Sequence, residues 1–365
     1  MDWASLLSLS EFHSLAGMVS YSVSQLPAEY QPCEEINNIF RQHQALSLVS
    51  ESNITFETER LLKSLSDKGV RVLPVKGYVL KNDYRIPAMR TMTDVDIIYD
   101  ANNKQQVIDV FTDFGYTLDE TGSELDFTKD NLHHYELHAS SADAYDTSHT
   151  YFSDILSRAV YSSDSLVGCL RDEDAYLYLL SHLSKHMLSG GAGVRMIMDV
   201  FVFYEAHGKT LDRAYLSTEL SKLKLIDFED KIRCLSYNWF SGGIPNTDSL
   251  LADFILCACT FGISRDSLLQ SALKAEKSTG KKQNPAKAFF RRLFPSYGFI
   301  SDLYPISRKH KLFYPFCIVA HWCNRIFRRR NINTKNLKYY MTSTDSAQAQ
   351  RISLIMEQAG LSPFI

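Results

Sequence analysis

"LPVKGYVLKNDYRIPAMRTMTDVDIIYD", residues 73–100, sets an apolar run against a lysine, an arginine and two alternating aspartates. The run "VRVLPV" (70–75) has the β-branched composition of a buried strand and stops at Lys76-Gly77. "DVDIIYD" (94–100) predicts a second strand. Side chains two apart on a strand point the same way, so Asp94 and Asp96 share one face while Val95, Ile97 and Tyr99 take the other. Two adjacent carboxylates in what otherwise reads as buried sheet repel each other unless a cation or a proton offsets them. Mg²⁺ or Mn²⁺, held by oxygen ligands, is the expected answer.

Outward from this stretch the pattern is mixed. Residues 1–68 carry apolar residues at helical spacing; in "ERLLKSLSDKG" (59–69), Leu61, Leu62 and Leu65 form one face and Gly69 ends the helix. "YVLKNDY" (78–84) predicts one or two helical turns, and "NNKQQVIDVFTDFG" a helix from near Asn102 to a cap at Gly115. "HHYELHAS" (133–140) alternates like another strand. From about Ser153 the chain turns to long helices, "DEDAYLYLLSHLSKHML" and "VRMIMDVFVFYEAH", joined through "SGGAG" (189–193). The expected class is α+β, in four parts: N-terminal helices (1–50), an α/β domain (51–152), a helical domain (153–273), and a basic linker with a C-terminal helical segment (274–365).

Composition sets limits. With 365 residues, 45% hydrophobic and 22% charged, the chain has ordinary globular make-up and enough length for a large core. No apolar run reaches the ~18 residues of a membrane span, and "MDWASLLSLSEFHSLAGMVS" lacks a basic leader region, so a soluble, cytoplasmic protein is expected. The seven cysteines include no C-x-x-C pair, which argues for reduced, mostly buried thiols rather than disulfides or a zinc ribbon. His182 and His186 are spaced i, i+4 but lack the H-E-x-x-H glutamate, which argues against a zinc protease. Residues 274–340 hold 16 Lys and Arg against two acidic residues. Such a segment suits a polyanion such as RNA, an anionic membrane surface or an acidic partner, or docking on the acidic remainder of the chain.

Glu136 is the candidate third carboxylate, because two-metal phosphoryl-transfer sites hold ions about 3.5–4 Å apart with shared carboxylates. A strand that ends at Lys76-Gly77 and enters a helical turn presents backbone N–H groups and an ammonium to phosphate oxygens. Arg90 lies four residues before Asp94, and His138 shares the strand face of Glu136, where it can contact a phosphate or orient the glutamate. Lys185 and an i, i+4 pair of Arg195 with Asp199 either reach the nucleotide across a cleft or serve helix packing.

The ordered set K-G, Arg90, D-x-D and E-x-H resembles the little-characterised bacterial nucleotidyltransferase family of the DNA polymerase β superfamily. "HLSKHMLSGGAGVRMIMDV" (182–200) and "LFPSYGFISDLYP" (293–305) are similar to that family's helical half, so the resemblance spans roughly residues 55–330. It implies a polymerase β-like sheet domain and metal-dependent transfer of a nucleoside monophosphate from an NTP to an acceptor hydroxyl, with release of pyrophosphate. It makes Asp94, Asp96 and Glu136 the metal-binding, catalytic carboxylates, and sets Lys76, Gly77 and Arg90 on the triphosphate; His138 joins them as a nucleotide-binding candidate from its strand position alone. The chain departs from the superfamily by placing Lys76-Gly77 where a Gly-Ser turn is usual. The acceptor stays open among RNA, protein and a small molecule. Two other classes compete: a catalytically silent nucleotide- or RNA-binding protein of the same fold, and a phosphohydrolase, which needs more clustered His and Asp ligands. Without a cation the three carboxylates are expected to repel one another, so Asp96→Asn is expected to leave the protein at least as stable.

Overall fold

Apolar residues on both faces of a single sheet dictate the architecture. The computed structural model describes residues 1–121, 124–130, 133–139, 151–189, 191–258, 313–318 and 346–362; the linker at 274–287 and the cations Arg328, Arg329 and Arg330 fall outside them. Helices α1 (Trp3–Phe12), α2 (Ala16–Ser24) and α3 (Glu34–Asp67) precede the sheet. The last turns of α3 bury Ile54, Thr58, Leu61, Leu62 and Leu65 at three- and four-residue spacing. Gly69 follows at φ 79°, the left-handed conformation that glycine adopts without a Cβ clash.

Strand β1 (Val72–Val75), the single turn α4 (Gly77–Leu80), strand β2 (Val95–Tyr99) and helix α5 (Lys104–Asp113) then follow in the predicted order. Strands β3 (Thr117–Thr121) and β4 (Glu124–Thr128) form an antiparallel pair that the sequence reading does not foresee, before β5 (His134–Ala139). Among the described residues the sheet has the order β1-β2-β5-β4-β3, with β2 and β5 parallel and every other neighbour antiparallel. The outer edge of β1 is covered by residues 166–168: the Val72 N–H donates to the Leu166 carbonyl at 3.0 Å, and the Gly168 N–H to the Val72 carbonyl at 2.8 Å. A covered edge is protected against pairing with another chain.

Among the described residues that follow, the regular elements are helices: α6 (Ile155–Arg158), α7 (Asp172–Met187), α8 (Val194–His207), α9 (Arg213–Leu223), α10 (Ile226–Phe240), α11 (Leu250–Cys257) and α12 (Ser346–Gln358). The fold class is therefore α+β, as expected. Strand alternation divides the apolar residues between two cores. Val95, Ile97, Tyr99, Leu125, Phe127, Tyr135 and Leu137 pack on α3 and α5 through Leu61, Leu65, Val107, Val110 and Phe111. From the opposite face Leu73, Val75 and Ile98 join Tyr176, Leu180, Leu183, Ile197 and Val200 of α7 and α8. Fully burying a side chain such as Leu65 or Leu180 contributes about 1.5–3 kcal/mol, so the sheet is clamped from both sides. Asp96 and Glu136 sit on the α7–α8 side, where polar groups face a helical wall.

Among the described residues no helix is long and apolar enough to cross a membrane. The described cysteines are free, but Cys33, Cys169, Cys234 and Cys257 are exposed and only Cys317 is buried, so the expectation of mostly buried thiols is corrected. Cys33 caps α3, Cys169 sits in a bridge with Val160, and Cys234 and Cys257 lie on exposed helix positions, none of them in either core.

One ionisable group ties the two halves together. His207, at the end of α8, sets Nε2 2.9 Å from Asp83 Oδ1 and Nδ1 3.0 Å from Asp172 Oδ2. Burial draws its pKa down, but the two carboxylates outweigh that and hold it above the ordinary histidine value. A raised folded pKa gives stability that is fully present below the unfolded value of about 6.5 and is lost as pH rises through the folded value. The difference in urea-unfolding free energy between the native protein and His207→Gln should accordingly be largest below pH 6.5 and shrink as the pH is raised above it. A difference independent of pH would mean that His207 acts by packing alone.

Candidate active site

β1 ends at Val75, the register partner of Asp96 on β2. The next residue, Lys76, takes φ 55° and ψ −130°, a left-handed conformation costly for a residue with a side chain. The turn folds the lysine back onto the sheet, with Nζ 2.5 Å from Asp96 Oδ1. That same oxygen lies 2.9 Å from Nε2 of His138, whose Nδ1 is 3.3 Å from Glu124 Oε1. Burial alone would favour the neutral form of Asp96, but Lys76 and His138 hold its carboxyl well below the usual carboxylate range. Burial likewise opposes charge on Lys76, and Asp96 outweighs it, raising the ammonium pKa. For His138, burial is overcome by the hydrogen bonds to Asp96 and Glu124, and the pKa is pushed up to about 9. The expected repulsion is corrected at Asp96, which the part-buried Lys76 and His138 offset because the β1–β2 register brings Lys76 beside it; at Glu136 it persists.

Glu136 is the β5 partner of Asp96 and, across its other edge, of Asp126 on β4, so three carboxylates form a row over three strands. Burial, then Asp96 and Asp94, raise the Glu136 pKa. Asp94 stands just ahead of β2. Ligand atoms of Asp94, His134 and Glu136 lie within 4.8 Å of one another, as do those of Asp96, Glu136 and His138. Glu136 is common to both groups. The three carboxylates named from the sequence therefore converge, and oxygen-rich donors of this kind fit Mg²⁺ or Mn²⁺. His138 bridges the Asp96 and Glu124 carboxylates. His134 Nε2 is held 2.5 Å from Asp126 Oδ1.

Gly77 and Arg90 are neighbours: a Cβ added at Gly77 would stand 3.1 Å from Arg90 Nη1. The guanidinium is buried and forks onto Asp199, Nε to Oδ1 at 2.8 Å and Nη2 to Oδ2 at 2.9 Å. The Tyr84 hydroxyl donates to the same Oδ1 at 2.6 Å, and Arg90 Nη1 donates to the Thr91 carbonyl at 2.9 Å. Asp199 thus pairs with Arg90 from the sheet half, and not along its own helix with Arg195 as the spacing predicts. Arg195 Nη1 turns instead to the Thr91 carbonyl at 2.7 Å.

Facing the strands, α7 presents Tyr178, His182 and His186 at four-residue intervals. Burial, then the charge on Lys76, keeps His182 well below the ordinary histidine value and brings His186 down to about 4. Both are neutral at physiological pH, with rings edge to face at 4.4 Å. Lys185 is exposed and close enough to help lower the pKa of Glu124, after His138. The sequence reading misses Glu124, Asp126 and His134. For Glu124 and Asp126 the signal is the alternation in "ELDFT" (124–128), where they flank the buried Leu125.

A family model described as an uncharacterised nucleotidyltransferase matches residues 1–241. The chain belongs to that family. Membership supports nucleotidyl transfer as the general activity, and the match takes in the sheet, Lys76 to His138, and α7 and α8, while ending well short of residue 330. Among solved structures, the chain is similar to the one titled "Solution Structure of Antibiotic-Resistance Factor ANT(2'')-Ia Reveals Substrate-Regulated Conformation Dynamics", at 8% identity and a TM-score of 0.36, covering 48% of this chain and 92% of that one. No curated protein matches the sequence.

Asp96→Asn should lower the unfolding free energy by about 1–3 kcal/mol, because it leaves the part-buried Lys76 ammonium without its counter-charge. Urea denaturation at pH 7 measures it; a variant as stable as the native protein would restore the picture of mutually repelling carboxylates.

Proposed function

We propose that the protein is a metal-dependent nucleotidyltransferase that moves a nucleoside monophosphate from an NTP to an acceptor hydroxyl and releases pyrophosphate. The observation that carries this reading is the convergence of Asp94, Asp96 and Glu136, with Glu136 common to two overlapping ligand groups, beside the Lys76-Gly77 turn. In this proposal Asp94, Asp96 and Glu136 hold Mg²⁺ or Mn²⁺. When bound, the ion neutralises phosphate charge and lowers the pKa of the acceptor hydroxyl. Glu136 takes the acceptor's proton. The acceptor oxygen bonds to the α-phosphorus as the bond from that phosphorus to the leaving oxygen breaks, and pyrophosphate departs with the electron pair. Lys76 turns its ammonium from Asp96 toward the triphosphate, Gly77 and Arg90 line the same side, and His138 fixes Asp96.

Residues 51–152 form the catalytic unit in this reading and residues 153–273 close over it. A cytoplasmic location and binding of a polyanion by residues 274–340 belong to the proposal on sequence grounds. One observation favours the rival of silent nucleotide binding: Lys76 and His138 both occupy Asp96 Oδ1.

Incubation with α-³²P-labelled ATP, GTP, CTP and UTP, Mg²⁺ and host lysate separates the readings. Label should move from one of the nucleotides onto an acceptor, and Glu136→Gln should slow that transfer by roughly 10²–10⁴-fold. Label released as free monophosphate without acceptor would indicate hydrolysis. Nucleotide retained but never turned over would favour silent binding.

A further inference from the structure

Arg195 occupies the second position of α8, whose N-cap, Gly193, brings no side chain to the helix terminus. Free backbone N–H groups and the positive end of the helix dipole make such a terminus receptive to an anion. Arg195 adds a second and independent feature. Only 8% of it is exposed, yet its Nε has no hydrogen-bond partner. Its Nη1 and that of Arg90 donate to one oxygen, the Thr91 carbonyl, at 2.7 and 2.9 Å. Two buried guanidiniums therefore meet at one point, three residues before Asp94.

Their compensation is incomplete. Both oxygens of Asp199 are held by Arg90, and Tyr84 takes one of them as well. Burial and the neighbouring Arg90 bring the Arg195 pKa down to about 10, with Asp199 and Asp94 only partly opposing this. A buried cation with an unsatisfied donor is costly unless something completes it. The pair also touches the nucleotide side of the proposed site, since Arg90 packs on the Gly77 backbone.

We propose that Arg195 and the N-terminus of α8 form an anion subsite for the pyrophosphate portion of a nucleoside triphosphate, with Arg90 as a positioning residue anchored by Asp199. The identity of the anion rests on the nucleotidyltransferase reading; the presence of an anion site does not. The subsite gives the helical half a defined task, because a ligand held by both Arg195 and Lys76 spans α8 and the β1–α4 turn.

Isothermal titration with inorganic pyrophosphate, at low salt and in EDTA, tests the subsite without metal or turnover. The native protein should bind, and Arg195→Gln should weaken binding by about tenfold to a hundredfold, the range of hydrogen bonds to a charged group. Arg195→Lys, which keeps the charge and loses the fork, should bind with intermediate affinity. Ligand-free Arg195→Gln should melt at the native temperature or higher, because its charge is poorly compensated. Should that variant fail to fold, Arg195→Lys carries the test, and native affinity in it would overturn the proposal. Native affinity in Arg195→Gln, or no pyrophosphate binding by the native protein, would also overturn it. Arg195-dependent binding in a protein that transfers no label from any NTP would uphold the anion subsite while removing the nucleotidyltransferase reading.

Discussion

The contact between the part-buried Lys76 and the buried Asp96 is the constraint around which the rest is arranged. Asp96 lies in a strand with apolar packing on both faces, where an unpaired carboxylate would be several kcal/mol unfavourable. Antiparallel pairing of β1 with β2 sets Val75 opposite Asp96, so the next residue is the one able to reach it. That residue must also reverse the chain, and the positive φ of Lys76 is what reconciles the two demands. A glycine would make the turn more cheaply but would leave the carboxylate without its cation. Strain at this lysine is thus accepted in return for charge balance, as is common where a fold builds a site.

A second ion pair carries the arrangement from the sheet to the helices. Arg90 leaves the segment between α4 and β2 and forks onto Asp199 of α8, with Tyr84 closing the carboxylate. The contact sets α8 against the Gly77 turn, while α7 supplies Tyr178, His182 and His186 as the opposite wall. Both histidines stay neutral beside Lys76, so they add no charge to a region that already holds Lys76, His138, Arg90 and Arg195. The proposed site is acidic on its floor, formed by β2, β5 and β4, and cationic along one rim. Such a division of charge suits a substrate that brings its own phosphates together with a divalent ion.

Much of this is legible in the sequence because it is local. Alternation around Asp96 correctly sends Val95, Ile97 and Tyr99 to one core, and Gly69 and Gly115 both mark chain reversals at positive φ. What escapes depends on register and on distance along the chain. Strands β3 and β4 are five residues each and carry Asp119, Glu120, Glu124 and Asp126, so their apolar signal is short and diluted; with them go Glu124 and Asp126. The pairing of Asp199 with Arg90 joins residues 109 positions apart, and the nearer Arg195 is the more obvious choice from helical spacing. The contact of Lys76 with Asp96 is invisible until Val75 is known to face Asp96, which is why the carboxylates read as repelling one another.

The central claim, that Asp94, Asp96 and Glu136 hold a divalent ion together with a nucleotide, is tested most directly by electron paramagnetic resonance of Mn²⁺ titrated into the protein with a non-hydrolysable NTP analogue. A protein-bound Mn²⁺ signal should appear with the native chain and be strongly weakened in Asp94→Asn and Glu136→Gln, both checked to be folded. Mn²⁺ bound equally well by both variants, or no bound ion in the native protein at saturating analogue, would contradict it.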